Sequence, residues 1–206
     1  MRGDTEWVLV DTETTGLRQP IWTLEVAALR FRGWKRVGKP IQIFLNQQKA
    51  PDPDALAVHG YDLAFQARRG VDPREGLGRF REFVGDAPVV AHNLKYDYGK
   101  VLRPELDRLG LPGLRYGFCT LWLAQRLLPQ MPKHGQGEIQ EAYGIANDKA
   151  HEALSDVLAL AEIVERVFAP LLQGTRFDDF ESIQELTEHI PADMAAAAIK
   201  RAQAAR

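Results

Sequence analysis

Cysteine is almost absent from this chain of 206 residues, which contains Cys119 alone. A single cysteine cannot form an internal disulfide, so a small secreted scaffold held by disulfides is excluded. The lone thiol fits a reducing compartment, and we expect the protein in the cytoplasm. We interpret Cys119 as a small buried apolar side chain rather than as a nucleophile.

Long apolar runs and a large charge excess are also missing. No stretch approaches the roughly 20 apolar residues of a membrane span, and residues 1–4 lead into the first strand without the apolar core of a signal peptide. We therefore expect no membrane association. Lys and Arg number 26 against 28 Asp and Glu, a net charge of −2. Coating nucleic acid needs a strongly basic surface, so a nucleic-acid contact would have to be local, such as a grip on a chain end.

Phosphate-binding glycine motifs are missing as well, since neither a P-loop nor a Gly-x-Gly-x-x-Gly fingerprint occurs. A nucleotide cofactor bound in that way is not expected. What the chain does have is 45% hydrophobic residues, enough for one sizeable core.

The apolar pattern predicts five strands. Residues 7–10, 21–31 and 37–45 follow one another through short turns, which indicates an antiparallel meander. Residues 88–91 and 115–120 are two later strands that alternate with helices. The predicted fold is therefore α/β, with a mixed five-stranded sheet in which two parallel strands extend the meander and helices flank both.

The helical pattern predicts where the compact part of the chain ends. A helix over 95–109 has Asp97 on its inward side, and another covers 152–168, after which Pro170 closes the compact part. We therefore predict a domain over 1–173 and a helical appendage over 174–206. The second helix of that appendage is rich in alanine, so we expect it to dock weakly or against a partner.

Two carboxylates follow the first strand directly. Asp11 and Glu13 are two residues apart, and such side chains point to one face of a strand. Two carboxylates on one face repel each other unless a cation lies between them, which suggests a divalent metal. The alternative is a polar turn closed by Gly16, and the pair alone does not decide between the two.

Three further polar residues are ambiguous when each is taken singly. Asp97 lies on the inward side of its helix, where it needs a cation or hydrogen bonds, but a helix N-cap would explain it as well. Asp156 is favoured in a first helical turn by the helix dipole, and His151 could be an exposed polar residue.

Taken in order, these residues form the motifs Asp11-Thr12-Glu13, His92-Asn93-Leu94-Lys95-Tyr96-Asp97 and His151-Glu152-Ala153-Leu154-Ser155-Asp156. They resemble the three exonuclease motifs of the DEDD superfamily, in its His branch, called DEDDh or DnaQ-like. That branch includes the epsilon proofreading subunit of bacterial DNA polymerase III and exodeoxyribonuclease X. The resemblance covers about residues 6–170, and Tyr96 departs from it mildly, since Phe is commoner there.

The resemblance implies a fold, a cofactor and a reaction. The fold would be ribonuclease H-like, and four acids would hold two divalent cations, Mg²⁺ or Mn²⁺. His151 would act as the general base on the attacking water. The implied activity is 3′→5′ exonuclease hydrolysis at single-stranded or frayed DNA ends, releasing nucleoside 5′-monophosphates in repair or proofreading. The implied metal ligands are Asp11, Glu13, Asp97 and Asp156.

The resemblance also implies contacts to the 3′-terminal nucleotide, which would be made by Thr12, Thr14, Leu17, Val58, His59, His92, Asn93 and Tyr96. Ordinary core packing explains Leu17 and Val58 equally well, and His59 could be a plain loop histidine. Two other functions stay open, an exoribonuclease of the ribonuclease T or oligoribonuclease type and a proofreading subunit tethered to a polymerase through 174–206. Whether the protein forms a homodimer is also open.

Overall fold

A computed structural model describes residues 1–205, apart from the side chain of Asp193, and Arg206 lies outside the described residues. In this part of the chain five strands form one mixed sheet in the order β3-β2-β1-β4-β5. Neighbours are antiparallel within the meander, whereas β1 pairs with β4 and β4 with β5 in parallel. The predicted sheet is confirmed, although β2 begins about two residues later, and β3 about two residues earlier, than predicted. The strands are β1 (Glu6–Thr14), β2 (Thr23–Arg32), β3 (Lys35–Phe44), β4 (Pro88–Ala91) and β5 (Arg115–Cys119).

Helices cover both faces of the sheet. Three precede β4, namely α1 (Pro53–His59), α2 (Leu63–Arg69) and α3 (Pro73–Val84). A π-helical segment, Lys95–Leu102, runs into α4 (Arg103–Arg108) after β4. The helices that follow β5 are α5 (Thr120–Leu127), α6 (Gln136–Tyr143), α7 (Ala153–Ile163), a second π-helical segment (Val164–Phe168), α8 (Ala169–Leu172), α9 (Phe180–Glu188) and α10 (Ala192–Ala204).

The sheet separates two apolar layers, because side chains alternate along β1. Trp7 and Leu9 face the layer that contains α5 and α7. Val8 and Val10 face the layer that contains α3 and α4. The same alternation continues to the polar end of β1, where it decides which acids share a face.

The helix predicted over 95–109 is divided at Pro104. Proline has no N–H, so the carbonyl of Lys100 lacks its α-helical partner. Gln19 Nε2 donates to that carbonyl at 2.9 Å instead. The N–H of Arg103 donates to Tyr98 O, a π-helical bond, and such widened turns are frequent at functional sites. The segment thereby joins Asp97 to the turn after β1.

The last 30 described residues pack on the core, whereas the sequence suggested that the final helix docks weakly or against a partner. Ala195 and Ile199 of α10 are buried in the layer that contains α5, and Arg126 Nη2 donates to Ile190 O at 2.8 Å. α9 covers the edge strand β5, where Gln184 Nε2 donates to Gly117 O at 3.0 Å. Covering an exposed strand edge suppresses pairing with other chains. Pro170 therefore does not end the compact part, and the division between 1–173 and 174–206 stays a prediction.

Across residues 1–205, no helix has both the length and the apolar character that crossing a membrane requires.

Candidate active site

The candidate site lies where the parallel strands β1 and β4 end, the edge at which open α/β sheets bind ligands. Asp11 and Glu13 continue the face of Trp7 and Leu9. α7 packs against that face of β1 and β2, and it carries Asp156 in its first turn. Strand alternation and helix packing therefore place three predicted acids together.

Asp97 reaches the same edge from the opposite layer. Its side chain is buried in the π-helical segment after β4. Thr12, which faces the other way from Asp11 and Glu13, donates its hydroxyl to Asp97 Oδ1 at 2.7 Å. The N-cap interpretation does not apply to Asp97, because the residue lies inside the helical segment and Leu94 precedes it as the cap.

Asp156 and His151 hold each other in place at the entrance to α7. The backbone N–H of His151 donates to Asp156 Oδ2 at 2.9 Å, and Asn147 Nδ2 donates to Oδ1 at 2.6 Å. His151 has a positive φ of 68°, a left-handed conformation that costs a non-glycine residue about 1–3 kcal/mol and clusters at functional sites. The side chain of His151 is exposed, open to a substrate.

Three of these residues are arranged as a cation site would require. One ligand atom each from Glu13, His151 and Asp156 lie within 4.8 Å of one another. Asp11 and Asp97 are outside that tight group. Carboxylate oxygens suit hard divalent cations such as Mg²⁺ or Mn²⁺, so the donor set fits the implied metal.

The acids are in electrostatic conflict. Burial raises the pKa of Asp11 well above its usual range, and the charges of Asp97, Glu13 and Asp156 raise it further. Burial, followed by the charges of Glu25, Asp156 and Asp97, raises the pKa of Glu13 to about 8. Burial also raises the pKa of Asp97 and of Asp156, although hydrogen bonds to both oppose it. Such a cluster favours a cation, which would replace the protons.

A cavity of about 550 Å³ opens beside the acids. One wall is the turn after β1, where Gly16 has φ 147° and a Cβ would clash with the Asp52 carboxylate. Two apolar side chains at its mouth are exposed, Leu17 by 77% and Val58 by 51%. The core-packing alternative for this pair is therefore wrong. The lining residues are Thr12, Glu13, Thr14, Gly16, Leu17, Arg18, Asp52, Pro53, Asp54, Ala55, Val58, His59 and Tyr96.

His59 and Tyr96 fix the shape of this cavity. Tyr61 N donates to His59 Nδ1 at 3.0 Å, so the proton is on Nε2, which donates to Thr14 O at 3.0 Å. Burial lowers the pKa of His59, which keeps this neutral tautomer. The Tyr96 hydroxyl donates to Gly16 O at 3.1 Å and lies 3.0 Å from the Thr14 hydroxyl. Both side chains support the turn after β1.

His92 and Asn93 lie outside this cavity. Neither belongs to the cavity lining formed by the described residues. His92 Nε2 donates to His134 O at 2.9 Å, and Nδ1 lies 3.1 Å from the Thr120 hydroxyl. Burial lowers the pKa of His92 to about 4, so the ring is neutral and acts as a link between two elements. A nucleotide contact by His92 or Asn93 stays a prediction that this geometry does not favour.

Sequence reasoning missed several polar residues at the site. Glu25 of β2 is fully buried beside Glu13, its partner in the β1–β2 register. Asn147 holds Asp156, and Arg18 and Asp52 line the cavity. Glu25 had a detectable signal, because it is a charged residue inside the otherwise apolar run of residues 24–29, and charged residues are seldom buried. Asn147 had none, since it lies in an ordinary loop.

A ribonuclease H-like sheet that ends in clustered acids and a histidine agrees with the class of nucleases that the sequence motifs indicate. The family model described as Exonuclease, RNase_T, matches residues 8–164. The chain belongs to this exonuclease family, whose DnaQ-like character agrees with the resemblance.

Curated relatives include two DNA polymerase III proteins. The DNA polymerase III subunit epsilon of Haemophilus influenzae is 26% identical over 209 residues, which cover 95% of this chain and 79% of that protein. DNA polymerase III PolC-type of Staphylococcus epidermidis is 29% identical over 162 residues, which cover 78% of this chain. The chain spans only 11% of the PolC-type protein.

Solved structures share the fold. E. coli exonuclease I in a zinc-bound complex with single-stranded DNA has a TM-score of 0.71 and 18% identity, covering 83% of this chain and 43% of exonuclease I. Exonuclease X in complex with 5′ overhanging duplex DNA has a TM-score of 0.66 and 22% identity, covering 88% of this chain and 99% of exonuclease X. The likeness confirms the predicted ribonuclease H-like exonuclease fold.

Proposed function

We propose that this protein is a 3′→5′ exonuclease that depends on a divalent metal and removes nucleotides from single-stranded or frayed DNA ends. The observation that carries the proposal is the convergence of Asp11, Glu13, Asp97 and Asp156 with His151 beside a cavity of nucleotide size. Buried acids with raised pKa values are costly for a fold. A cation that neutralises these acids and assists hydrolysis would explain why the fold keeps them.

Different residues would bind the cations and transfer the proton. A bound Mg²⁺ or Mn²⁺ pair would stabilise charge on the attacking and leaving oxygens of a phosphodiester. Asp11, Glu13, Asp97 and Asp156 would hold the cations. His151, exposed next to Glu13 and Asp156, would accept the proton of the attacking water, because an imidazole nitrogen can act as a general base.

The cavity would bind the terminal nucleotide. The exposed side chains of Leu17 and Val58 would offer apolar surface to a base, while Thr12 and Thr14 would offer hydroxyl groups. These contacts contain no base-specific arrangement, which suits removal of any terminal nucleotide. Arg18, on the same wall, supplies a positive charge near the entering strand.

DNA is the proposed substrate because exonuclease I and exonuclease X hold DNA in the related structures. The similarity to an epsilon subunit supports a second proposal, association with a DNA polymerase through residues 174–206. Since α10 turns its apolar face to α5, a polymerase would meet the outer surface of this segment. The cytoplasm stays the proposed location.

The test is digestion of one oligonucleotide made as DNA and as RNA, labelled at its 5′ end. With Mg²⁺ we expect a ladder that shortens by one nucleotide on DNA, and no products with a chelator. An Asp156→Asn variant controls for contaminating nucleases. Release of the label as a mononucleotide would mean that digestion starts at the 5′ end, which would contradict the proposed polarity. Faster digestion of the RNA would mean that RNA, not DNA, is the preferred substrate.

A further inference from the structure

The fully buried carboxylate of Glu25 has no part in the reaction described above, yet it lies beside Glu13. We propose that Glu25 is a positioning residue that fixes the loop bearing His151 against the sheet. This inference rests on the proposed function, in which His151 is the base. It depends on hydrogen bonds from three separate elements that converge on one carboxylate.

The first bond comes from the start of α7. The leading N–H groups of a helix have no partners within it, and the N-cap residue of α7, Glu152, makes no side-chain capping bond. Ala153 N donates to Glu25 Oε2 at 3.0 Å instead. A carboxylate from β2 thus caps the helix, where the helix dipole favours negative charge. Ala153 is two residues from His151, so this bond fixes one end of its loop.

The second bond, from Gln42, involves Glu152, which lies between His151 and Ala153. Gln42 Nε2 of β3 donates to Glu25 Oε1 at 2.7 Å and to Glu152 Oε1 at 2.8 Å. The amide of Gln42 therefore bridges Glu25 and the residue that follows His151. Ala153 is therefore bonded to Glu25 directly, whereas Glu152 is bonded to the Gln42 amide, which Glu25 holds with its other oxygen.

The third bond extends to the nucleotide cavity. The Tyr61 hydroxyl donates to Glu25 Oε2 at 2.7 Å, and the backbone N–H of Tyr61 fixes the tautomer of His59. One carboxylate thereby connects the histidine at the site of hydrolysis with the histidine in the cavity wall.

Stability alone does not explain a carboxylate at this position. The charge of Glu25 raises the pKa of Glu13, so it adds to the repulsion among the acids. A neutral side chain would relieve that repulsion. A glutamine, however, cannot accept from all three donors, because its own NH₂ group must face one of them. The carboxylate is the group that satisfies Gln42, Tyr61 and Ala153 together.

Glu105 offers a matched control. It is equally buried, and it accepts hydrogen bonds from the backbone and hydroxyl of Thr23 and from Gln47. Glu25→Gln and Glu105→Gln therefore each disturb a buried carboxylate with three donors, but only Glu25 is bonded to the start of α7. Thermal unfolding of both variants measures how much stability each change removes.

The experiment combines rates with hydrogen exchange. In Glu25→Gln we expect kcat on a DNA oligonucleotide to fall about tenfold at saturating Mg²⁺, the usual effect of losing a group that orients a site residue. KM should stay within about twofold, because the loss affects the chemical step. In a His151→Ala background the same change should lower kcat by less than about twofold, because residues that act as a unit are not additive. Glu105→Gln should leave kcat unchanged.

Hydrogen exchange of the metal-free protein gives a readout that needs no activity. Amides of residues 148–153 should exchange several-fold faster in Glu25→Gln than in the wild type, and not in Glu105→Gln. Unchanged exchange there, or an equal fall in kcat with and without His151, would overturn the proposal. Should the wild type digest no oligonucleotide, the proposed function would fail, while the exchange measurement would still decide whether Glu25 holds the loop.

Discussion

Asp11 illustrates how a single side chain can oppose folding and serve a reaction. Its half-buried carboxylate faces the charges of four other acids, and each of them adds to the rise in pKa that burial causes. The fold retains this repulsion because the sheet and α7 determine the positions of these residues independently. Natural sites often contain such locally unfavourable groups, with the cost borne by the rest of the structure.

Asp11→Asn should therefore separate activity from stability. We expect a loss of nuclease activity of about 10²–10³-fold, the range seen when a transition-state electrostatic partner is removed. The melting temperature of the metal-free protein should rise, because one buried like charge disappears. Rates with Mg²⁺ and thermal unfolding in chelator measure the two effects. Asp107→Asn, an exposed change on α4, should alter neither, and a lower metal-free melting temperature for Asp11→Asn would contradict the repulsion argument.

Asn147→Ala should weaken the site without removing a predicted ligand. Asn147 Nδ2 donates to Asp156 Oδ1, and Ser155 Oγ donates to Asn147 Oδ1. Losing a partner that orients a ligand commonly costs about 10–100-fold in metal affinity or activity. We expect the Mg²⁺ concentration for half-maximal rate to rise by at least about tenfold on this basis. The exposed neighbour Asp148, changed to Ala, is the control, and an unaltered Mg²⁺ dependence would show that Asp156 needs no such support.

The sequence predicted the acids and His151 because their spacing is local and their order is informative. It could not predict Asn147 or the role of Glu25, since these depend on which loop meets which strand after folding. His92 illustrates the reverse case. Its motif position suggested a nucleotide contact, which stays a prediction, and the structure adds contacts of its two ring nitrogens to Thr120 and His134 that the motif does not indicate.

Among the elements, the helix containing Asp97 differed most from its predicted form. Apolar spacing indicated one continuous helix, and Pro104 was the signal for a break. The π-helical hydrogen bonds and the donation from Gln19 to Lys100 O could not be predicted, because they require a partner 81 positions away. The strands of the meander were predicted well, since alternation and short turns are local features.

The C-terminal helix α10 packs on the core in this structure, whereas its alanine-rich sequence suggested that it docks weakly or against a partner. Alanine allows close approach instead, and Ala195 is completely buried beside Ile199. The neighbouring Met194 is 57% exposed. Sequence alone does not reveal which face of such a helix is covered, since both faces carry small apolar residues.

Ala195→Glu and Met194→Glu form a matched pair for this helix. The first change buries a charge without a partner, and we expect it to lower the free energy of unfolding by about 3 kcal/mol or more. The second lies on the surface and should change it by no more than about 0.5 kcal/mol. Urea unfolding of both variants gives the comparison. Equal stability would show that α10 detaches in solution and would support a separate appendage over 174–206.

At the scale of the whole molecule, the free energy of folding depends on the protonation of the acids, and cation binding would depend on it as well. The metal-free fold keeps Glu13 largely protonated, with a pKa of about 8 against an ordinary value of 4.5. A carboxyl whose pKa is raised on folding binds its proton more tightly in the folded state than in the unfolded state. Its contribution to stability is therefore present at low pH and is lost as the pH rises from about 4.5 to about 8.

The melting temperature should accordingly depend on metal and pH together. In chelator, we expect the protein to lose stability from pH 6 to pH 8, because Glu13 and its neighbours become charged without a counterion. Mg²⁺ competes with those protons, so its stabilising effect should be larger at pH 8 than at pH 6. At a concentration of about 100 times Kd, a cation adds about 2.7 kcal/mol, which is a rise of roughly 5–10 °C for a protein of this size. Calorimetry at both pH values, with chelator and with MgCl₂, measures the four melting temperatures.

In Asp156→Asn the Mg²⁺ effect should be small at either pH. An equal Mg²⁺ effect at pH 6 and pH 8 in the wild type would mean that the cation does not replace protons on these acids, and the site would then have to lie elsewhere.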